Sequence, residues 1–486
     1  MTVEHFFDPI VLADPMSPAE LTGQCDCDCD CDSLNSSRLP EQPLSKSWMY
    51  EHYRLAGFQM LPMEEEYSVI LGPSRLAVVN QQASQMMWGF SHPARPVDVV
   101  DAWDTPGSSP KALLACEKLV NLGFLTPSAP KSCLTPQKFD TLATWLQITD
   151  RCNLRCSYCY MPKRPRDMSL EVGRRILDST FASARKHKFQ RVKVKYAGGE
   201  SLLGLPTILA LQRYGRALQS EYNLELEGVV LSNGTLLSDQ SIRSIKEARL
   251  SLMLSLDEIE AGERKFANGR SASQAIQSGI LLALEHQLVP HISVTVTNAN
   301  APHLPRLVSW LLDYQLPFSL NFYREDSRSN LEKLDPERII PAVLKVGEII
   351  LTRAPQRSLL KTLADRADLS AMHEYTCGVG LNYLVFDTQG NLSKCQMAME
   401  DTIPGWENDP VLAIRSALNG PKNTAASNRS GCEGCEWRFW CSGGCPMLTD
   451  YQAGKSLPRL PFCEIYKALL PGLVALEGRR ILKRLL

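Results

Sequence analysis

Strand-like and helical patterns of apolar residues alternate from residue 141 to about residue 330. Short runs rich in Val, Leu, Ile and aromatic residues predict strands there: LATWLQIT, VKVKYAGG, GVVLSNG, LSLMLSLD, HISVTVTN and FSLNFYRE. Intervening segments such as LEVGRRILDSTFASARK and ASQAIQSGILLALEHQ have the apolar spacing of amphipathic helices. Repeated strand–helix units predict a parallel sheet or barrel, with its functional site at the carboxyl ends of the strands.

A different pattern fills residues 47–130. Three apolar stretches (YRLAGFQML, YSVILGP and RLAVVN) predict strands, and three helical patterns follow, the last ending near Gly123. A small α+β module of winged-helix type is therefore expected. A DNA-reading helix would need several Arg and Lys residues for phosphates and base edges. The last helical pattern, 111–122, offers only Lys111 and Lys118, which argues against DNA binding.

Residues 1–46 have the composition of a disordered tail or linker, with Pro, Ser, Asn and Gln, and contain the block CDCDCDCD at Cys25 to Asp32. The block has two interpretations. It is an acidic, thiol-rich tail that scavenges metal, or it is a fused or mimicked peptide substrate. An extended tail of this length could reach a distant site, since a chain spans about 3.3 Å per residue.

Overall composition restricts the class of protein. The chain has 52 basic and 53 acidic residues, so no nucleic-acid footprint is expected. No apolar run approaches the roughly 18 residues of a membrane span, and the acidic start does not resemble a secretory signal. Sixteen cysteines without such a signal indicate metal or redox chemistry in the cytoplasm. Cys116 and Cys133 are expected to be an ordinary helix cysteine and a linker cysteine.

The run TDRCNLRCSYCYMPK contains Cys152, Cys156 and Cys159 in the spacing C-x3-C-x2-C. Three thiolates this close can hold three irons of a [4Fe–4S] cube and leave the fourth iron open. A structural zinc site would require a fourth Cys or His nearby, and no His lies within the motif. The spacing therefore favours an iron–sulfur cluster with an open iron over zinc.

The motif, with aromatic Tyr158 before its last cysteine, resembles that of the radical S-adenosylmethionine (SAM) superfamily. The resemblance extends from Thr144 to roughly Glu325. It implies an open, partial (β/α)6 TIM barrel. It also implies that SAM chelates the open iron and is cleaved by one electron to methionine and a 5′-deoxyadenosyl radical, which removes a hydrogen atom from the substrate.

Three further motifs at predicted strand ends match the family: YAGGES at 196–201, SNGT at 232–235 and SLD at 255–257. YAGGES provides Gly198, Gly199 and Glu200: the glycines would let the backbone approach the ligand, and Glu200 would accept from a SAM amine or ribose hydroxyl. The family pattern implies cofactor-binding roles for Tyr158, Gly198, Gly199, Glu200, Ser232, Asn233 and Asp257. Arg264 is a candidate contact or a solvated residue. Tyr323 and Arg324 are candidates for the cavity lining, with core packing as the alternative for Tyr323.

The last 110 residues contain a second cysteine pattern, CEGCEWRFWCSGGC, with further cysteines on both sides. It resembles the SPASM domain of peptide maturases, which implies two auxiliary [4Fe–4S] clusters. By position, one would be held by Cys432, Cys435, Cys441 and Cys463. The other would be held by Cys377, Cys395 and Cys445 and has only three protein thiolates. Its fourth iron is either open to a substrate thiolate or bound by solvent, Asp or Glu.

Together these resemblances imply a radical SAM/SPASM peptide-modifying oxidoreductase, similar to sactipeptide- and ranthipeptide-type maturases. The module at 47–130 resembles a RiPP recognition element, which would bind the leader of a precursor peptide. Thioether formation from Cys sulfur to carbon is the expected reaction. Carbon–carbon or carbon–oxygen crosslinking, epimerisation, sulfatase-maturase-like oxidation and a non-enzymatic electron carrier remain alternatives. Gln396, where sulfatase maturases have an acid, argues against sulfatase maturation.

The expected architecture is α/β, with a partial (β/α)6 radical SAM core, an N-terminal winged-helix-like domain and a C-terminal cysteine-rich SPASM domain. The expected boundaries are 1–46 for the tail, 47–130 for the recognition module, 138–340 for the core, 341–372 for a helical linker and 373–486 for SPASM. The expected cofactors are SAM and three [4Fe–4S] clusters. The expected partners are a precursor peptide and an electron donor such as flavodoxin or ferredoxin, with no nucleic acid and no membrane.

Overall fold

A computed structural model describes most of the chain. The described residues are 8–13, 44, 47–63, 66–73, 75–103, 109–128, 139–260, 262–324, 331–353, 363–365, 367–451 and 461–485. The CDCDCDCD block and Cys133 lie outside these ranges. None of the helices in the described ranges is long and apolar enough to cross a membrane.

The N-terminal module combines two small antiparallel sheets with three helices. A four-stranded sheet has the order β1-β5-β4-β3, and β2 pairs with β6. The strands are β1 (Val11–Leu12), β2 (Tyr53–Leu55), β3 (Gln59–Pro62), β4 (Tyr67–Leu71), β5 (Leu76–Asn80) and β6 (Leu125–Pro127). The helices are α1 (Gln81–Trp88), α2 (Pro96–Asp101) and α3 (Ser109–Asn121). The predicted stretch YRLAGFQML is therefore two strands, in different sheets.

The two faces of the four-stranded sheet are buried against different partners. Ile70 and Val79 belong to the same apolar cluster as the helices of the module. Val69 and Val78, one residue away on the same strands, belong to the large core that includes the C-terminal helix. Side chains alternate between the two faces of a strand. One face of the sheet therefore packs against the helices of the module, and the other face packs against the rest of the protein.

The expectation of disorder over 1–46 is wrong for the residues around β1. Val11 pairs with Val79 and Leu12 with Val78 in an antiparallel ladder. The Asn80 amide donates to the Asp8 carbonyl at 2.7 Å, and its carbonyl oxygen accepts from the Ile10 N–H at 2.9 Å. A two-residue strand has too little local pattern to be found from the sequence, since its stability comes from the partner strand.

The core is an open parallel sheet with helices between its strands, as the alternating pattern predicted. Neighbouring strands pair in parallel in the order β12-β11-β10-β9-β8-β7. The strands are β7 (Thr141–Thr149), β8 (Arg191–Gly198), β9 (Glu225–Ser232), β10 (Ser251–Ser255), β11 (His291–Val296) and β12 (Phe318–Phe322). The helices are α4 (Leu170–Lys186), α5 (Leu205–Tyr222), α6 (Asp239–Glu247), α7 (Ser273–Glu285), α8 (Leu304–Asp313) and α9 (Pro336–Arg353).

The C-terminal region continues the same sheet. Strand β13 (Tyr383–Phe386) pairs in parallel with β7, and β14 (Leu392–Ser393) pairs antiparallel with β13, which gives eight strands in all. The sheet does not close, so the expected α/β fold with a partial barrel is confirmed. The helices of this region are α10 (Pro410–Ser416), α11 (Arg438–Cys441) and α12 (Cys463–Leu485).

The expected helical linker at 341–372 differs from the structure. Helix α9 begins at Pro336 and ends at Arg353, and the described residues at 363–365 and 367–372 form turns and bends. These turns are held by side chains from other elements, so their shape depends on contacts that are distant in sequence.

Candidate functional site

The cysteine loop, 150–168, leaves the carboxyl end of β7 and is held at its base and in its middle. At its base, the Asp150 N–H donates to the Arg166 carbonyl at 2.9 Å. In its middle, the Arg155 N–H donates to the Lys265 carbonyl at 2.7 Å, and Leu154 forms a β-bridge with Phe266. The loop that bears the predicted triad is therefore fixed to the segment that follows β10.

The two glycines of YAGGES give this loop room against β8. A Cβ on Gly198 would lie 2.5 Å from the Thr149 carbonyl oxygen. A Cβ on Gly199 would lie 2.7 Å from the Arg151 carbonyl carbon and 2.9 Å from Cys152 Cβ. Real Cβ atoms do not approach other atoms so closely. The glycines were expected to let the backbone approach a ligand. In the structure they let it approach the cysteine loop.

Glu200 is almost fully buried, and its carboxylate joins the ends of β8 and β9. It accepts from the Leu202 N–H at 2.9 Å, the Ser232 hydroxyl at 2.7 Å and the Asn233 N–H at 2.8 Å. Burial raises the pKa of Glu200, while these hydrogen bonds act in the opposite direction. Its observed partners are protein donors, and contact with SAM remains a prediction.

The SNGT turn after β9 is tied to the cysteine loop through Asn153. The Asn153 amide donates to the Thr235 hydroxyl at 2.8 Å, and its carbonyl oxygen accepts from the Asn233 amide at 2.9 Å. Asn233 also accepts from the Thr235 N–H at 3.0 Å. The sequence reasoning missed Asn153, whose only signal is its place directly after Cys152.

A buried network anchors the aromatic residue of the cysteine motif. The Tyr158 hydroxyl donates to Asp257, which also accepts from Arg264 Nε and from the Thr295 N–H, both at 2.8 Å. The Arg264 guanidinium lies 5.5 Å from the centre of the Tyr158 ring. Burial raises the pKa of Tyr158 well above its usual range. Asp257 therefore connects the cysteine loop to β10 and β11 and leaves Arg264 beside the triad.

The three thiols of the triad are partly exposed neighbours on this loop. Burial, together with Cys159 and Cys152, raises the pKa of Cys156 to about 11, although Arg264 acts in the opposite direction. The Lys163 ammonium lies 2.6 Å from the Cys159 sulfur. Iron binds the thiolate, so metal uptake would release these protons. Three adjacent thiols on a loop fixed at the carboxyl end of β7 fit a [4Fe–4S] cluster with one iron left for SAM.

Three C-terminal cysteines line one cavity at the end of the barrel. Cys377, Cys395 and Cys445 are each less than 8% exposed and line one small pocket together with Arg324 and Gln396. Their donor chemistry suits a cluster, because three buried thiols line the same pocket. The structure brings this predicted set together, and the cluster itself remains a prediction.

The other four cysteines also gather near one another. Burial, together with the neighbouring Cys432, Cys435 and Cys463, raises the pKa of Cys441 to about 12. Within the described part of the chain, the cysteine sets included, no three His, Cys, Asp or Glu side chains converge closely enough to hold a single metal ion.

Sequence reasoning missed one network beside the thiol cavity. Arg324 follows β12 and pairs with Asp365, which accepts from the Tyr466 hydroxyl at 2.7 Å. Arg324 was a candidate for the cavity lining, and it faces the thiols. Tyr323 is buried among core residues. Asp365 and Tyr466 carried no sequence signal, since neither belongs to a motif.

Comparisons with known proteins identify the central domain. Residues 146–308 match the model of the radical SAM superfamily. An uncharacterised protein of Methanocaldococcus jannaschii is 27% identical over 172 residues, which cover 35% of this chain and 58% of that protein. The serine-type anaerobic sulfatase-maturating enzyme of Klebsiella aerogenes is 27% identical over 329 residues, which cover 62% of this chain and 78% of the enzyme.

A solved structure extends the likeness of the fold beyond that domain. The structure of native anSMEcpe with bound AdoMet superposes with a TM-score of 0.57 at 17% identity, covering 71% of this chain and 98% of that chain. At this identity the likeness concerns the fold alone. The match at 146–308, which contains the cysteine loop at the end of β7, identifies a radical SAM domain in this part of the chain.

Proposed function

We propose that the protein is a radical SAM enzyme that modifies a ribosomally made peptide, most specifically by joining a cysteine sulfur to a carbon. The observation that carries this proposal is the cavity lined by Cys377, Cys395 and Cys445 at the carboxyl end of β12. A radical SAM domain needs only the triad to generate its radical. A second buried thiol set, placed against the same barrel, supplies a site for a further redox group.

The proposed reaction balances in atoms and electrons. The carbon loses a hydrogen atom to the 5′-deoxyadenosyl radical, the thiol loses a proton, the C–S bond forms, and one electron remains to be accepted. When bound, SAM and the triad cluster would supply the electron and the radical, and a cluster at the C-terminal thiols would accept the remaining electron. The protein would position the peptide and exclude water from the radical.

A leader peptide would be held by the exposed edge of β3. On its other edge β3 pairs with β4, and the described residues place no strand beyond β3. The Met63 N–H donates to the Tyr67 carbonyl, so by alternation the Met60 N–H points to the open edge. An added strand would gain backbone hydrogen bonds there. The Gln59 amide donates to the Glu436 carbonyl at 2.7 Å, which places this edge beside the Cys435 loop.

An electron donor would approach the cysteine loop from outside. The loop and the segment bridged to it are rich in exposed basic side chains, although the whole chain has a net charge of −1. These side chains are Arg151, Arg155, Arg164, Arg166, Lys265 and Arg270. Because opposite charges accelerate association, an acidic one-electron carrier of the flavodoxin or ferredoxin class fits this surface.

Oxidation of a serine or cysteine in a sulfatase is the second candidate, favoured by the similarity to the Klebsiella enzyme. The cavity counts against it. Gln396 accepts from the Tyr383 hydroxyl at 3.1 Å and faces the thiols, where an acid would be needed to remove a proton. A carboxamide does not act as a general base at neutral pH.

The proposal is tested by reconstituting the protein without oxygen, adding SAM and dithionite, and measuring 5′-deoxyadenosine and the masses of its proteolytic fragments. The Cys152→Ala, Cys156→Ala, Cys159→Ala triple variant is the control. A loss of two hydrogens per crosslink in the fragment of Cys25 to Asp32 supports thioether formation on a fused substrate. The same loss in an added precursor peptide supports a separate substrate. An absence of 5′-deoxyadenosine with all clusters loaded contradicts the radical reaction.

A further inference from the structure

Arg324 connects the last barrel strand to the C-terminal thiols. It lies two residues after the end of β12, and its side chain is 8% exposed. One terminal nitrogen donates to both oxygens of Asp365 at 2.9 Å, and the other donates to the Phe322 carbonyl at 2.7 Å. This forked geometry suits a guanidinium and not an ammonium, because only Arg presents several donors in one plane.

Asp365 is itself held firmly, so it fixes the direction of Arg324. It is completely buried and accepts from the Phe322 N–H at 2.9 Å and from the Tyr466 hydroxyl on α12 at 2.7 Å. Its backbone has a φ of +50°, a conformation that costs free energy for a residue with a side chain. Its contacts with β12, Arg324 and α12 hold Asp365 in this conformation.

The remaining part of the guanidinium faces the cysteine cavity. Arg324 lines that cavity with Cys377, Cys395 and Cys445. Its buried Nε makes no hydrogen bond to any other described residue. A guanidinium stays protonated in proteins, and the Asp365 carboxylate at 2.9 Å favours its charged form. A permanent positive charge with an unused donor therefore stands beside the thiol set.

We propose that Arg324 is a positioning residue for the cluster expected at Cys377, Cys395 and Cys445, and that its charge raises the reduction potential of that cluster. This inference rests on the proposed function, which places a cluster there. Reduction adds negative charge, so a nearby cation and a donor to a ligating sulfur stabilise the reduced form. Asp365 both aims the guanidinium and partly cancels its charge.

The test is an EPR-monitored redox titration of the full chain in which the triad has been changed to alanine, so that only C-terminal clusters contribute. Arg324→Gln is expected to lower the potential of one C-terminal signal, and Arg324→Lys, which keeps the charge, to lower it less. Asp365→Asn is expected to shift the same signal upward, because it removes the cancelling charge. An electrostatic role predicts that Arg324→Gln and Asp365→Asn shift the reduction potential in opposite directions, which simple disruption of the site does not.

The matched control is Arg480→Gln. Arg480 is equally buried and pairs with Glu477 at 2.8 Å, but it does not line the thiol cavity. It is expected to lower the melting temperature without moving either potential. Unchanged potentials in Arg324→Gln, or equal downward shifts in the Arg324→Gln and Asp365→Asn variants, would overturn the inference. If Asp365→Asn does not fold, the comparison of Arg324→Gln with Arg324→Lys decides.

Failure of the underlying proposal has a different signature. Cys445→Ala should remove about one cluster's iron from the protein that lacks the triad. If the iron content stays the same, no cluster occupies this cavity, and the proposed function fails before the role of Arg324 is tested.

Discussion

A Cβ atom on Gly199 would lie 2.7 Å from the carbonyl carbon of Arg151, so the backbone after β8 is in direct contact with the loop that carries the triad. The Glu200 N–H donates to the Arg151 carbonyl at 2.8 Å at the same point. The motif YAGGES is therefore part of the support of the cysteine loop. Backbone contacts therefore join the YAGGES motif directly to the loop that carries the triad.

Replacing Gly199 by alanine should displace the cysteine loop. Overpacking of this kind costs about 1–3 kcal/mol, and the displacement would separate the three thiols. We expect reduced iron content and a loss of most 5′-deoxyadenosine formation, measured after anaerobic reconstitution. Gly57→Ala is the control, because a Cβ at Gly57 meets nothing within 4 Å. Normal iron loading in Gly199→Ala would show that the loop tolerates the shift.

Glu258 predicts a pH dependence of stability. Burial, with Asp257 and Glu263 close by, raises its pKa from the ordinary 4.5 to about 7. The folded protein then binds a proton that the unfolded chain releases at lower pH. Its contribution is fully present below about pH 4.5 and is lost as the pH rises through about 7.

We therefore expect the apo protein to lose about 2 kcal/mol more unfolding free energy between pH 5 and pH 8 than the Glu258→Gln variant, after allowance for solvent screening. Urea unfolding at each pH measures this difference. Equal pH profiles for the two proteins would place the pKa of Glu258 in its ordinary range. Glu247→Gln, a change at an exposed carboxylate on α6 that does not act on Glu258, is the control and should keep the wild-type profile.

The barrel strands could be predicted because each is a local apolar run bounded by turn residues. Strand β13 could not be placed in the same sheet, because its pairing of Tyr383 with Ala143 joins segments distant in sequence. The cysteine motifs were visible as spacing. The contacts that support them, such as Asn153 with Thr235, depend on which loops meet at the strand ends. Arg324 was a candidate, but only the fold gives it Asp365 as a partner.

The basic surface around the triad predicts that charge reversal slows electron transfer from an acidic donor but not from a cationic one. The Arg164→Glu, Lys265→Glu, Arg270→Glu triple variant should slow 5′-deoxyadenosine formation several-fold with reduced flavodoxin at low salt, because steering depends on opposite charge. The effect should fade as salt is added. With reduced methyl viologen, a cation, the same variant should be as fast as the parent or faster.

A matched variant separates this surface effect from a general loss of charge. Arg243 and Lys345 are exposed on helices α6 and α9, outside the cysteine loop and the segment bridged to it. Arg243→Glu with Lys345→Glu should leave the flavodoxin rate unchanged. Equal slowing with flavodoxin and methyl viologen in the triple variant would show damage to the site and would contradict the docking surface.

The open edge of β3 predicts that one backbone donor affects peptide binding. Pro62 has no N–H, so Met60 offers the outward donor of this strand. Met60→Pro should weaken binding about three- to tenfold, the value of one hydrogen bond of roughly 1 kcal/mol. Met60→Leu keeps the donor and the apolar side chain and should bind normally. The hydrogen bonds between β3 and β4 should survive, because they use the other residues of β3, whose N–H groups point towards β4.

The measurement is fluorescence anisotropy with a labelled peptide of residues 14–43. The protein partner has that segment replaced by a Gly/Ser linker, which keeps β1 in place. Because the peptide lacks residues 8–13, it cannot compete for the edge of β5 that β1 occupies. Weaker binding in Met60→Pro alone supports strand addition at β3. Equal binding in both variants places the peptide elsewhere, and an absence of binding to the parent protein shows that the tail is not the ligand of this module.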